Sequence, residues 1–314
     1  MNMRIKKQKT VKQGNSFQKA IKKYWMLYLM FVPVALYYII FSYVPMAGIT
    51  IAFKDYNPMF GFLDSPWVGL EHFKDFFNNY YFFRLLKNTL VISVSSIVFL
   101  FPAPIIFALL LNEIRTNWFK RSVQTVVYLP HFISMVVICG MIRSFTDADG
   151  IITNMLVGLF GIENKSLLLS NKAFIPVYIL SDMWQSIGWS SIIYTAALSN
   201  VDEALYEAAT IDGANRLQQT IHVTIPGIAS TVVIMLILRL GSVLGVGYEK
   251  LILLYSPIVY DTADVISTFV YRRGLLDMDW SYSSAVGLFN SVVNFSLLMF
   301  ANWFSRKVSE TSLW

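Results

Sequence analysis

"YEAATIDGANRLQQTIHVTIPG", residues 206–227, is a polar island in a greasy chain. It carries Glu207, Asp212 and Arg216, and it lies between apolar runs at 173–198 and 227–247. A short patterned polar segment between two such runs reads as a loop joining membrane spans. Its reading therefore depends on whether the rest of the chain is built for lipid.

The composition says that it is. The 314 residues are 56% apolar and only 14% charged, where a soluble protein carries about 25% charge. Aromatic residues make up 16%, with 24 phenylalanines. The net charge of +6 does not point to nucleic acid, because eight of the 25 Lys and Arg residues fall in the first 24 positions. That placement is a topology signal. The single Cys139 excludes an intrachain disulfide and a cysteine metal site, and His72, His131 and His222 are too far apart to form a ligand set. Neither G-x-x-x-x-G-K-[ST] nor G-x-G-x-x-G occurs, so the chain shows no nucleotide site of its own.

A spanning helix needs about 20 mostly apolar residues. Six candidates satisfy this: 25–52, 88–111, 122–142, 173–198, 227–247 and 281–304. The uncharged run 24–53 is 30 residues long, far beyond a signal-peptide core of about 7–15, and reads as a retained first span. Only the fourth and fifth candidates contain a charge, Asp182 and Arg239. The predicted fold is all-α and polytopic, with six transmembrane helices. With the N-terminus inside, inner segments hold 14 Lys and Arg and outer loops hold seven. Both termini are thus expected in the cytoplasm. The expected organisation is a basic cytoplasmic N-terminus (1–24) and one membrane domain (25–314). Within the latter, 199–226 is a cytoplasmic loop and 305–314 a cytoplasmic tail.

Prolines at 33, 45, 102, 104, 130 and 176 fall within or at the ends of spans and read as static kinks. The outer segment 53–83 mixes charge with aromatics and predicts a loop with a short amphipathic helix at the membrane surface. The outer loop 248–280 has turn signals at Ser256-Pro257 and Gly274, with room for a short helix.

Within the polar loop, Asn200 is a candidate N-cap, with Asp202 and Glu203 in the first turn. Leu205, Ala208 and Ala209 share one small apolar face. Gly213 suits the position that ends a helix, Asn215 could cap a second one, and Pro226 marks the entry to the fifth span. The expected shape is a compact helix-turn-helix with a face narrow enough for another protein's groove. An ordinary capped connector is the plainer alternative.

Glu207-Ala208-Ala209, three residues, Gly213, nine residues and Val223-Thr224-Ile225-Pro226 resembles the EAA loop of ABC importer permeases, E-A-A-x3-G-x9-I-x-L-P. Val223 and Ile225 replace the usual Ile and Leu, and Thr220 and Ile221 stand where aromatics are common. "YVPMAGITIAFKDYNP", "WVGLEHF" and "VYDTADVISTFVYRRGLLDMDWSYSSAVGLFNSVVNF" resemble the oligosaccharide and polysaccharide branch, so the likeness covers nearly the whole chain. The resemblance implies a type I importer in a bacterial cytoplasmic membrane. Its parts are two different six-span permeases, an ABC ATPase dimer and an extracytoplasmic solute-binding protein. This chain would bind no cofactor and would not be an enzyme; ATP and Mg would sit at the partner ATPases. The EAA helix would then be the coupling helix of the 199–226 loop, with Glu207, Ala208, Ala209, Asp212, Gly213 and Pro226 as the coupling residues.

Charge inside a span is a functional candidate by default. Arg239 either pairs with Asp182 across the bundle or binds a carboxylate or sulfate on a substrate, whose geometry its planar fork matches. Trp184, Gln185 and Trp189 suit a sugar site, and suit packing as well. Asn290 and Asn294 share one face of the sixth span, as hydrogen-bond partners or pore-lining groups. Tyr248 and Glu249 are weaker candidates at the outer end of the fifth span. Gly241, Gly245 and Gly247 read as a close-packing face. Rival readings remain: an ATP-independent transporter or channel, a membrane enzyme, or an ABC permease for a non-sugar solute. The sequence has one intramembrane acid, no convincing internal repeat and no catalytic constellation.

Overall fold

The computed structural model describes residues 16–245, 247–308 and 312. Much of the basic segment 1–24 and of the tail 305–314 therefore lies outside the described residues. The described chain is helical throughout and contains no strand, only an isolated bridge between Lys54 and Trp67. It divides into two compact units, Met1–Ile51 and Ala52–Trp314.

All but the last two residues of the first apolar helix, Lys23–Phe53, belong to the first unit. It contains Pro33 and a π turn at Ile39–Tyr43, just before Pro45. Two further π turns stand in the same relation to proline: Ser96–Leu100 before Pro102, and Thr220–Thr224 before Pro226. Proline has no N–H to donate to the helix ladder. The wider turn re-registers the preceding hydrogen bonds, as where Val44 N–H reaches Ile39 O and Ile225 N–H reaches Thr220 O. The helices therefore continue through these prolines.

Among the described residues, four helices are long and apolar enough to cross a membrane: Lys23–Phe53, Phe82–Glu113, Arg216–Leu240 and Trp280–Lys307. The expected third span, 122–142, is not one helix. Asn117–Phe132 and Met135–Phe160 meet at a 100° bend and together would make a fifth crossing. The break has local causes. Pro130 tightens the chain into a 3₁₀ turn, Ile133 is extended, and Ser134 caps a new helix through Val137 N–H. Phe174–Leu198 matches the expected fourth span in extent but is not among those four helices. Asp182 and its four serines dilute the apolar character. Pro176 falls in its first turn, where a missing N–H leaves no broken bond.

Three apolar clusters hold the second unit together. One joins Ile92, Ile138, Phe174, Tyr178 and Leu251. Another is aromatic, with Phe76, Phe269 and Tyr282 at its centre. Phe76 belongs to the short helix Glu71–Asn78, so the amphipathic helix expected in 53–83 is present and turns its ring inward. The third packs Ala108 and Ile228 against Tyr194 and Leu198. The 248–280 segment is fastened by ion pairs as well. The Asp264 carboxylate is fully buried, 2.7 Å from Arg272 and 3.6 Å from Arg84, and accepts from Thr268 at 2.9 Å. Burial alone would lower the Arg272 pKa, but the hydrogen bond and charge of Asp264 hold it above its ordinary value.

Candidate functional site

The polar loop folds as a helix-turn-helix, with its caps assigned differently from the sequence reading. Asp202, not Asn200, is the N-cap of Glu203–Ile211 and accepts from Ala204 N–H at 3.0 Å. Asn200 instead donates back to Ala196 O at 3.1 Å and closes the preceding helix. Asp202 wins because its extended backbone (φ −62°, ψ 124°) aims the carboxylate at the orphan N–H groups. Gly213 has φ +77°, and Ala214 N–H reaches Ala209 O at 2.9 Å, which ends the helix through a left-handed residue. Asn215 and Gln218 form a capping box on the next helix. That helix is not separate from the fifth span. The helix is continuous from Arg216 through Pro226 to Leu240, with Pro226 in the first turn of its regular α segment, Ile225–Leu240.

Cross-links make the loop stiff. The Tyr206 hydroxyl meets Thr224 Oγ1 at 3.0 Å, and Gln219 Nε2 donates to Thr210 Oγ1 at 3.1 Å. Arg216 pairs with Glu113 of the second long helix at 2.5 Å. A Cβ on Gly227 would press on Val201, so glycine here lets the fifth span start close under the loop. Glu207, Ala208, Asp212 and Gly213 are exposed, Ala209 half-buried. Leu205 and Ile211 stand out from the same helix, Ile211 at 87% exposure. The loop thus presents an acidic and apolar face on a rigid base.

Deeper in the unit, two cavities of about 280 and 540 Å³ share Asp182, Arg239 and Ser242 in their walls. Asp182, Ser186, Trp189 and Ile193 follow one face of Phe174–Leu198, as helical spacing requires. Gly188 lets that helix approach the backbone of Val127 closely, where any Cβ would clash. The approach places His131 flat against the Trp189 indole, centroids 4.5 Å apart and planes within 4°. Phe132 meets its edge at 5.7 Å. Trp189 is thereby held rigid on the wall of the larger cavity.

The remaining candidates separate. Asp182 forms its ion pair with Lys250, at 3.2 Å, and not with Arg239. Arg239 is exposed to both cavities and holds no ion pair among the described residues. Trp184 looks away, into an apolar cleft with Met141, Phe145 and Leu180. Gln185 is buried, and its side-chain oxygen finds no partner, as does that of Asn290. Asn294 accepts from Leu244 N–H at 2.9 Å, so it ties the end of the fifth span to the last helix. Tyr248 is half exposed beside Tyr271, and Glu249 lines the smaller cavity. The three glycines do not form a helical face. The helix ends at Leu240, and only Gly241 is pressed against Leu298.

Lys250 was missed because it was counted as an outer-loop cation. It lies on a short helix, Tyr248–Leu254, whose Leu251 and Leu254 are buried; the run of leucines after Lys250 was the available signal. His131 carried no signal, since its stack depends on the close helix approach at Gly188.

Comparison with known proteins matches residues 100–310 to the family described as binding-protein-dependent transport system inner membrane component. Protein LplB of Bacillus subtilis (strain 168) is 43% identical over 305 residues, covering 97% of this chain and 96% of that protein. The polygalacturonan/rhamnogalacturonan transport system permease protein YteP of the same organism is 46% identical over 288 residues, covering 92% and 90%. Among solved structures, a chain of a bacterial ABC transporter involved in the import of the acidic polysaccharide alginate superposes with a TM-score of 0.86. It is 41% identical, with 93% of this chain and 99% of that one covered. A second structure of the alginate transporter, in complex with alginate pentasaccharide-bound periplasmic protein, gives the same TM-score and identity. The chain belongs to the family of inner-membrane permease components of binding-protein-dependent ABC transport systems.

Proposed function

We propose that this chain is a six-span permease subunit that forms half of the import pathway for an acidic oligosaccharide. Phe174–Leu198 serves as the fourth span and the bent pair Asn117–Phe132 and Met135–Phe160 as the third. Both termini face the cytoplasm, with one membrane domain over 25–314. The other half of the pathway belongs to a second, homologous permease. An extracytoplasmic solute-binding protein delivers the sugar, and a pair of ABC ATPases with ATP and Mg drives the cycle. This chain supplies no catalytic group.

Residues 199–226 receive the force. Glu207, Ala208 and Ala209 enter a cleft of the ATPase, Asp212 and Gly213 set the turn, and Pro226 with its π turn carries the motion into the fifth span. The exposed face and stiff base of this loop support the reading. Trp189, Ser186 and Arg239 line the path. A flat indole takes the face of a pyranose ring, and the guanidinium takes its carboxylate.

One observation carries the substrate class: Arg239, on a helix apolar enough to span a membrane, is open to two cavities and has no carboxylate partner among the described residues. Intramembrane charges normally find partners, so a carboxylate from outside the chain is the expected one. Relatives named for alginate and polygalacturonan transport agree with that class. The test is uptake of labelled acidic and neutral oligosaccharides by cells that carry or lack this chain. Chain-dependent uptake of the acidic sugar alone is expected. Dependence for the neutral sugar alone would overturn the assignment.

A further inference from the structure

Four charged side chains line the smaller cavity: Asp182, Arg239, Glu249 and Lys250. Their formal charges cancel, but their surroundings differ. Arg239 and Glu249 are exposed, and neither holds an ion pair among the described residues. The Lys250 side chain is only 2% exposed, against 28% for Asp182, its partner at 3.2 Å. The Lys250 ammonium also lies 5.5 Å from the centroid of the buried Tyr178 ring, which helps to fix its position.

A buried ammonium without a counter-ion is strongly disfavoured. Lys250 is therefore most stable beside a carboxylate, and the geometry does not require that it be one from the protein. Asp182 is the more exposed member, and it stands on the helix face that leads from Lys250 to Trp189. Along a helix the rise is about 1.5 Å per residue, so Asp182 and Trp189 are separated by roughly 10 Å along the path. That is about the length of two sugar rings. A charged sugar lying on Trp189 and Arg239 would bring the carboxylate of a neighbouring residue towards Lys250.

We infer that Lys250 is a second carboxylate-binding residue of the pathway, and that Asp182 occupies its site until a substrate carboxylate replaces it. No net charge is buried during the exchange. One carboxylate takes the place of another, and Asp182 moves into the water-accessible cavity. The inference deepens the acidic-oligosaccharide reading and rests on it.

Opposite signs of two substitutions test it. Trigalacturonate, with arabinotriose as the neutral control, is titrated into the whole complex in lipid nanodiscs by calorimetry. Asp182→Asn removes the competitor and should tighten trigalacturonate binding about tenfold. Lys250→Gln removes the site and should weaken it about tenfold. The double variant should bind like Lys250→Gln, because Asp182 acts through Lys250. None of the three should change the response to arabinotriose. Thermal unfolding of each complex supplies a separate readout, and the double variant, which buries no uncompensated charge, covers the case in which Asp182→Asn fails to assemble. A purely structural pair predicts weaker or unchanged binding in both single variants and recovery in the double variant. That pattern would overturn the inference while leaving wild-type binding of the acidic sugar intact. If wild type binds no acidic trisaccharide, the substrate reading itself fails.

Discussion

Replacing Gly213 with alanine tests whether the loop works through its backbone shape. Gly213 has φ +77°, and nothing lies within 4 Å of where a Cβ would be. The substitution therefore adds no clash, and its whole effect is the strain of a left-handed L residue, about 1–2 kcal/mol. Strain of that size shifts the balance between the observed loop and relaxed alternatives by roughly 5–30-fold. The bonds at stake are Gly213 N–H to Thr210 O at 3.1 Å and Ala214 N–H to Ala209 O at 2.9 Å. They set the direction in which Glu203–Ile211 leaves the membrane domain. The remainder of that domain is untouched, so its melting temperature should barely move. Binding-protein-stimulated ATPase activity of the complex in lipid should fall several-fold. Gly213→Asn is the control, because asparagine tolerates the left-handed region, and should retain most of the activity. Undiminished stimulation in Gly213→Ala, or equal losses in the alanine and asparagine variants, would refute a backbone role.

Other outcomes follow from the same structure. Arg239→Gln should lower uptake of acidic oligosaccharides at least tenfold and leave neutral ones unchanged; equal transport of the acidic sugar would remove the support for a carboxylate site. Trp189→Ala should weaken binding of any pyranose chain, whereas Trp184→Ala, which empties a cleft on another face, should not, as titration of the two variants would reveal. Asp264→Asn leaves Arg272 and Arg84 facing a buried neutral group, and loss of one member of such a pair costs about 3–5 kcal/mol; the complex should melt far lower or fail to assemble. Asp202→Ala removes an N-cap worth about 1 kcal/mol, which amide hydrogen exchange at Ala204 should register as faster opening of the loop helix.

The loop was the most legible part of the chain because its signals are local. Gly213, Asn215 and the polar run each act over three or four residues, and the turn they predict is the one observed. The Asn200 cap failed because two capping residues lie two positions apart, and only the preceding helix decides which one is free. Four of the six expected spans coincide with long apolar helices among the described residues, but the shapes were not legible. A proline in a span reads the same whether it kinks the helix, follows a π turn as Pro102 does, or precedes a break as Pro130 does. The cavity was legible only in part. Arg239 and Asp182 stood out as charges in apolar runs, and Trp189, with Trp184, as an indole suited to a sugar ring. The pairing of Asp182 with Lys250, 68 positions away, depends on how the chain turns after Leu240. The same holds for the stack of His131 on Trp189, which depends on the close approach of the two helices at Gly188.

Purifying the complex through a tag on this chain, reconstituting it in lipid and measuring ATPase activity probes most directly whether the chain is a coupled permease. Co-purifying ATPase subunits whose activity rises with binding protein loaded with an acidic oligosaccharide, and whose response is lost in Glu207→Ala combined with Gly213→Val, is the expected result. Absence of any co-purifying ATPase, together with full transport by that double variant, would contradict the coupling loop and leave an ATP-independent transporter as the account.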